Sequence, residues 1–278
     1  MHRRSMRLGL LTVLGLARRG FFIPYRYADT LPYPGCNPGY PPLAALMTAA
    51  EPAFATVLQD IGRYEAALLA MGEEPPPAPR WIQDWFPTLD AAAAYAMVRT
   101  RAPKRIIEVG SGHSTRFMKR AVDDGGLQTR ITAIDPQPSR FVDRLDIEFM
   151  KATLGSAGLH IFANLEAGDI LFIDSSHILM PGSDVDDLLN RVLPTLPSGT
   201  LVHIHDIFLP DDYPEIWGWR GYNEQLGVAP LLAGGAYDLL FASHYVATRM
   251  AAQVAASTVA RLPGKPDSLP ASLWLRKC

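Results

Sequence analysis

The chain has 278 residues, 48% of them hydrophobic and 19% charged, with a formal net charge of −2. That length accommodates one α/β domain with a helical extension. The balanced charge excludes the basic footprint of a nucleic-acid binder and leaves a small-molecule substrate as the expected partner. Two cysteines, Cys36 and Cys278, lie far apart in the chain, which excludes a disulfide framework or a zinc cluster and points to the cytosol.

Arg3, Arg4 and Arg7 precede an apolar run from Leu8 to Ala17, and Arg18 and Arg19 follow it. No small-x-small site closes the run as a leader peptide would require, and it falls well short of the roughly 20 apolar residues a membrane span needs. It reads first as an amphipathic helix packing on the protein or a partner, and second as a membrane-surface contact without stable insertion. Residues 24–42 are rich in proline, glycine and tyrosine, which predicts an ordered arm rather than a helix. Leu43 to Met71 reads as helical, with a new start at Pro52. Four prolines between Glu73 and Arg80 form a linker. The chain therefore divides into an N-terminal helical extension with arm and linker, residues 1–80, and a core, residues 81–278. Thr88 is expected to cap an alanine-rich helix from Leu89 to Thr100.

From Lys104 onward, short β-rich runs alternate with helical patterns, the signature of βαβ units and a parallel sheet. Strands are predicted at Arg105 to Val109, Arg130 to Ile134, Ile147 to Met150, Asp169 to Asp174, Thr200 to Asp206, Tyr237 to Val246 and Ala271 to Arg276. Helices are predicted at Thr115 to Val122, Asp184 to Leu193 and Glu215 to Leu232.

Chemistry concentrates where these strands end. Glu108, Gly110, Ser111 and Gly112 lie in a strand–turn–helix passage with Ser114 and Thr115 as expected caps, and the glycines permit close backbone approach to a ligand. A dinucleotide fingerprint would want a third glycine where Thr115 stands. Asp135 ends the second strand, where an acid can take both hydroxyls of a ribose. The apolar strand predicted over Asp169 to Asp174 delivers Asp174 and, three residues on, His177; the strand predicted over Thr200 to Asp206 delivers His205 and Asp206 to the same rim. A carboxylate beside an imidazole can share a proton or bind a metal. The His-x-His-Asp grouping suits iron or manganese, whereas oxygen-rich surroundings would suit magnesium. His203, within the strand, reads as a core histidine. Phe208 to Gly221, with Trp217 and Trp219, reads equally as an acceptor-side lid, joined by Tyr222–Glu224 and by Trp81, Trp85 and Phe86, or as buried core.

These motifs resemble the class I S-adenosylmethionine-dependent methyltransferases over roughly residues 86–276. The run Ile-Asp-Ser-Ser-His with the later His-Asp is similar to the metal-assisted O-methyltransferases acting on sugars and natural products. The resemblance implies a Rossmann-like, seven-stranded, mostly parallel sheet with helices on both faces, its last strand antiparallel and inserted beside the fifth. It assigns Glu108, Gly110, Ser111 and Gly112 to the methionine part of S-adenosylmethionine and Asp135 to its ribose. Asp174 and Asp206 become ligands of Mg2+ or another divalent metal, and His177, with Asp174, the catalytic pair. His205 stands where that pattern favours a carboxylate and joins the metal set. Residues 247–268 form an unusually long connection with no assigned role, and a homo-oligomer is left open. Two rival readings share the same residues: a metal-dependent enzyme that transfers no methyl group, and a methyltransferase-like scaffold without activity.

Overall fold

Short runs of β-branched and aliphatic residues, apolar on both faces, can only be covered inside a parallel sheet. The computed structural model, which describes residues 3–138 and 141–278, places them there. The strands are β1 (Arg105–Val109), β2 (Arg130–Ile134), β3 (Glu148–Met150), β4 (Ile170–Ile173), β5 (Leu201–Ile204), β6 (Tyr237–Ala242) and β7 (Leu273–Lys277). They form one seven-stranded sheet in the order β3-β2-β1-β4-β5-β7-β6. β1 to β5 pair in parallel, and β7 enters antiparallel between β5 and β6. This is the Rossmann-like arrangement the resemblance implied. Register lines up Ala133, Glu108, Phe172, His203 and Trp274 in one row across the sheet. His203 is a core residue: fully buried, it stacks on Phe172 with ring centroids 3.6 Å apart and bonds Ser272 Oγ through Nε2 at 2.8 Å.

The helices are α1 (Arg3–Val13), α2 (Pro41–Ala49), α3 (Glu51–Arg63), α4 (Glu65–Leu69), α5 (Thr88–Arg101), α6 (His113–Asp124), α7 (Leu154–Ala157), α8 (Asp184–Asp187), α9 (Glu224–Ala233), α10 (Ser243–Arg249) and α11 (Ala251–Ala256). Several boundaries differ from the sequence reading for identifiable reasons. Pro41 and Pro42 open α2, because proline has no N–H to lose in a first turn. Thr88 sits inside the first turn of α5 and donates its hydroxyl to Pro263 O, so it does not cap that helix. The helix expected over 184–193 is one α-turn followed by a π-turn, Leu188–Val192. The one over 215–232 is a short 3-10 turn, Glu215–Trp217, followed separately by α9. The strand expected to run to Val246 stops at Ala242, where α10 begins.

The long connection after β6 now has a role. α10, α11 and the 3-10 turn Thr258–Arg261 lie against the N-terminal helices rather than over the sheet. Tyr245 donates to Glu51 at 2.7 Å, Thr258 donates to Glu65 at 3.0 Å, and Arg261 and Lys265 pair with Glu65 and Asp84. Phe54 packs edge-on to both Phe241 and Tyr245. A single apolar core therefore runs from Leu43 in α2 through the alanine face of α5 to Leu275 in β7, continuous across residue 80.

Asp90, the acid in that alanine face, is fully buried. Its carboxylate accepts the backbone N–H of Ala271 at 2.9 Å and of Ser272 at 3.2 Å, and lies 3.4 Å from His205 Nε2. It thereby ties α5 to the entrance of β7. Replacing Asp90 with alanine would strand two buried N–H groups, each costing about 1–3 kcal/mol. Urea denaturation of Asp90→Ala is expected to show a loss of roughly 3 kcal/mol, against well under 1 kcal/mol for an exposed control such as Asp146→Ala.

Candidate active site

The sheet delivers its chemistry to one edge, the carboxyl ends of β1, β2, β4 and β5, where open α/β sheets bind ligands. At β1, Gly110 has φ +96°, and a Cβ there would fall on the carbonyl oxygen of Asp174. Only glycine lets the turn after β1 lie against the end of β4. Ser111 Oγ donates to Asp135 Oδ2 at 2.8 Å and the N–H of Gln137 to Asp135 Oδ1 at 2.7 Å, which fixes the acid at the end of β2. Gly112, not Thr115, is the cap of α6; Thr115 lies in its first turn and accepts the N–H of Gly112 at 2.9 Å. Ser114 instead donates to Glu108 Oε1 at 2.6 Å. Glu108 is fully buried and its Oε2 has no hydrogen-bond partner among the described residues. Burial pushes its carboxyl up to about 8, against the opposing pull of the Ser114 hydroxyl. A cleft of about 540 Å³ opens here, lined by Gly110, Asp135, Thr153, Asp174, Ser176 and Asp184 among others.

Beside it stands a cluster of alternating acids and imidazoles. His177 Nε2 lies 3.3 Å from Asp174 and 3.4 Å from Asp206, while its Nδ1 lies 2.9 Å from Glu224. His205 Nδ1 lies 3.5 Å from Asp174 and 3.4 Å from Asp206, with Asp90 at its other nitrogen. Both imidazoles therefore bridge the same two carboxylates. His177 (φ +59°) and Asp206 (φ +56°) hold left-handed backbone conformations, uncommon outside glycine although Asp and His adopt them more readily than most residues. Such strain, of order 1–3 kcal/mol each, persists only where the surroundings over-determine it.

Burial alone would strip both imidazoles of their protons, but the carboxylates reverse this. Asp174 and Glu224 raise His177 well above its ordinary value, and Asp206 and Asp174 do the same for His205. Asp174 is held well below the usual carboxylate range, because the pull of His205 and His177 overcomes its burial. Asp206 and Glu224 go the other way: burial raises both, against the pull of the histidines.

On the far side of the cluster lies a second cleft, of about 350 Å³, lined by His205, Asp206, Trp85, Trp217, Arg220 and Lys265 among others. The proposed lid divides between the two readings offered for it. Phe208, Tyr213 and Ala271 form a small core of their own, against which Trp217 and Tyr222 pack. Ile216, Trp219 and Trp85 remain exposed, whereas Trp81 and Phe86 are buried. The Arg220 guanidinium lies 4.2 Å from the centre of the Trp217 ring and donates to Tyr222 Oη at 2.9 Å. The acids of the lid face away from this cleft. Asp211 pairs with His244 and Arg249, and Asp212 accepts from Gly35 N–H, Asn37 N–H and Asn37 Nδ2 of the N-terminal arm.

Of the residues expected at the cofactor, Gly110 and Asp135 line the first cleft, Ser111 reaches it through its bond to Asp135, and Glu108 is buried behind the turn. Asp174 lines the same cleft, while His205 and Asp206 line the second one and His177 bridges Asp174 and Asp206. Two members of the cluster escaped the sequence reading as site residues, Glu224 and Asp90. A lone acid in the run Leu-Asp-Ala-Ala-Ala-Ala is a readable signal, since a carboxylate on a buried face must find partners. Among the described residues, no group of three or more His, Cys, Asp or Glu side chains is arranged to hold a metal ion. Asp174, His205 and Asp206, the expected ligands, meet as ion-pair partners of one another.

Residues 107–207 match the family model described as a methyltransferase domain. No curated protein matches the chain. Among solved structures, the S-adenosylhomocysteine-bound methyltransferase PaMTH1 of Podospora anserina is 14% identical with a TM-score of 0.42, over 93% of this chain and 99% of that one. An O-methyltransferase of Bacillus cereus is 16% identical with a TM-score of 0.36, over 71% of this chain and 89% of its own. TomG, an O-methyltransferase of Streptomyces achromogenes involved in tomaymycin synthesis, is 16% identical with a TM-score of 0.36, over 71% and 87%. The segment matched by the family model carries β1, β2, β4, β5 and the cluster at their ends. That matched segment, similar to a methyltransferase domain, makes up a little over a third of the chain.

Glu108 gives a pH signature. With its folded value about 8 and its unfolded value near 4.3, the folded state binds the extra proton between those limits. Stability therefore falls as pH rises through that window, by at most about 1.4 kcal/mol per unit. Glu108→Gln is expected to match the parent in chemical denaturation near pH 5 and to exceed it near pH 8.

Proposed function

We propose that the enzyme methylates a hydroxyl oxygen of a small molecule, with S-adenosylmethionine in the cleft at Gly110 and Asp135 and the acceptor in the cleft at Trp85 and Trp217. The observation that carries this reading is the wall the clefts share. Asp174 lines the first cleft, His205 and Asp206 line the second, and both histidines bridge the two acids. A methyl carbon presented beside Asp174 and an oxygen presented beside Asp206 would have to meet past the edge of this wall, in direct contact and with no side chain between them. In-line displacement then depends mainly on holding the two atoms close, aligned and dry.

In this proposal the acceptor O–H gives its proton to the cluster, an O–CH3 bond forms as the S–CH3 bond breaks, and S-adenosylhomocysteine leaves. Asp206 is the acid facing the acceptor cleft, and its raised affinity for a proton makes it a better base than an ordinary carboxylate. His177 and Asp174, the pair suggested by the family resemblance, lie directly behind it and spread the charge of the transferred proton. Exposed Trp85 and the Trp217–Arg220 stack provide flat faces for a ring-bearing acceptor, a sugar or an aromatic natural product.

A second reading is favoured by charge. Asp90, Asp174, Asp206 and Glu224 surround only two imidazoles, so a divalent cation such as Mg2+ would relieve a buried excess of negative charge. Asp174, His205 and Asp206 would have to give up their present ion pairs to hold it, and the ion would then make a bound hydroxyl more acidic.

Calorimetric titration with S-adenosylhomocysteine tests the donor site. Asp135→Ala should weaken binding by about 10–100-fold, the worth of lost hydrogen bonds to a charged group. No binding by the parent protein would end the methyltransferase reading of this cleft. An acceptor screen then tests the cluster: Asp206→Asn should retain S-adenosylhomocysteine binding and lose at least about 100-fold in kcat, the usual worth of a positioned acid or base. Activity that survives exhaustive chelation supports proton transfer by the side chains alone. Activity lost with chelator and restored by Mg2+ supports the second reading.

A further inference from the structure

The N-terminal segment has no role in the chemistry above. Within α1 and its last turn, Met6, Leu10, Val13 and Leu14 are all exposed, at the i, i+4, i+7, i+8 spacing of a single helical face. The helix forms as the sequence suggests, but this face does not pack on the body of the protein. Twelve of the nineteen exposed large apolar side chains among the described residues lie between Met6 and Tyr33. The rest are scattered singly or line the acceptor cleft, so among the described residues no other surface offers a matching apolar patch. Such a concentration marks an interaction surface.

Charge identifies the partner. The first 28 residues hold six arginines and no acid, while the remaining 250 hold twenty of the 26 basic residues and all 28 acidic ones, a net charge of −8. The apolar face is thus set among Arg7, Arg18, Arg19 and Arg26, with Phe21, Phe22, Tyr25 and Tyr27 alongside. Arginines interleaved with exposed aliphatic and aromatic side chains fit the headgroup boundary of an anionic bilayer. No helix among the described residues is long and apolar enough to cross a membrane. At 11 residues α1 is about 16 Å long, roughly half the hydrocarbon thickness. It can lie in the interface but not span it. We infer that residues 3–33 form a peripheral anchor for anionic membrane surfaces.

The anchor is fastened to the catalytic body at the acceptor side. Just beyond it, Gly35 and Asn37 bond Asp212, and Tyr40 N–H bonds Pro210 O at 2.7 Å, all on the segment that follows β5. A membrane-bound enzyme would therefore present its lid, not its donor cleft, nearest the bilayer.

Flotation of the full-length chain with vesicles tests this. Binding is expected to phosphatidylcholine–phosphatidylglycerol vesicles, at least about tenfold stronger than to phosphatidylcholine alone, and to be released by salt that shortens the Debye length to about 3 Å. Leu10→Glu/Leu14→Glu should abolish it and Arg18→Glu/Arg19→Glu should weaken it. Both pairs are exposed, so melting temperature and S-adenosylhomocysteine binding should stay at parent values, which separates this result from the methyltransferase reading. Failure to bind anionic vesicles, or equal binding by the Leu10/Leu14 variant, would overturn the inference. A dimer in light scattering that the Leu10/Leu14 variant dissolves, without vesicle binding, would assign the face to a second copy of the chain.

Discussion

Buried charge governs this molecule more than any single packing contact. A carboxylate taken out of water must recover its lost hydration from hydrogen bonds or an opposite charge, at a penalty of several kcal/mol if it does not. Asp90, Asp206 and Glu224 all face that requirement beside the half-buried Asp174, and His177 and His205 answer it together. Because each imidazole bridges two or more acids, no member can move alone. The positions of α5, α9, the ends of β4 and β5 and the entrance of β7 are set by one electrostatic arrangement. The left-handed backbone at His177 and Asp206 is held at that cost, and both residues sit on the wall between the two clefts.

The same arrangement explains why the two ends of the chain are locked together. α5 brings Asp90 under β7, and the connection after β6 folds back over α3 and α4 through Tyr245, Thr258 and Arg261. The N-terminal helices and the late connection therefore cover each other's apolar faces. The arm performs a comparable task at the acceptor side, where Asp212 spends its carboxylate on Gly35 and Asn37 and is no longer free to meet a ligand.

What could be read from residues alone follows the range of the interactions involved. β1 and β2 appear with the predicted bounds, because a buried parallel strand is a contiguous apolar run closed by a turn. The strand ends were legible for the same reason, and with them Glu108, Asp135, Asp174, His177, His205 and Asp206. Features that depend on distant partners were not. Thr88 looks like a cap until Pro263 takes its hydroxyl. Tyr237 to Val246 looks like one strand until the backbone of Ser243 bonds Ser272 and α10 begins. The lone acid Asp90 in its alanine run signals a buried partner but not which one, Glu224 carries no local motif, and their place in the cluster exists only because α5 and α9 are brought to β5 by the rest of the fold.

The clasp between the two ends also dictates an order of events. Glu51, Glu65 and Asp90 meet partners 181 to 196 residues further along the chain. A ribosome releases the N-terminal residues first, so α2 to α5 leave it long before β6, β7 or α10 exist. During that interval their apolar faces have nothing to rest on, and Asp90 remains in water. Closing so long a loop is slow and entropically unfavourable until the last strand arrives. Completion of the sheet by β7 and burial of the N-terminal helices are thus one late step in folding. A nascent chain truncated before Leu273 would lack a stable fold even with every residue of the donor cleft already made.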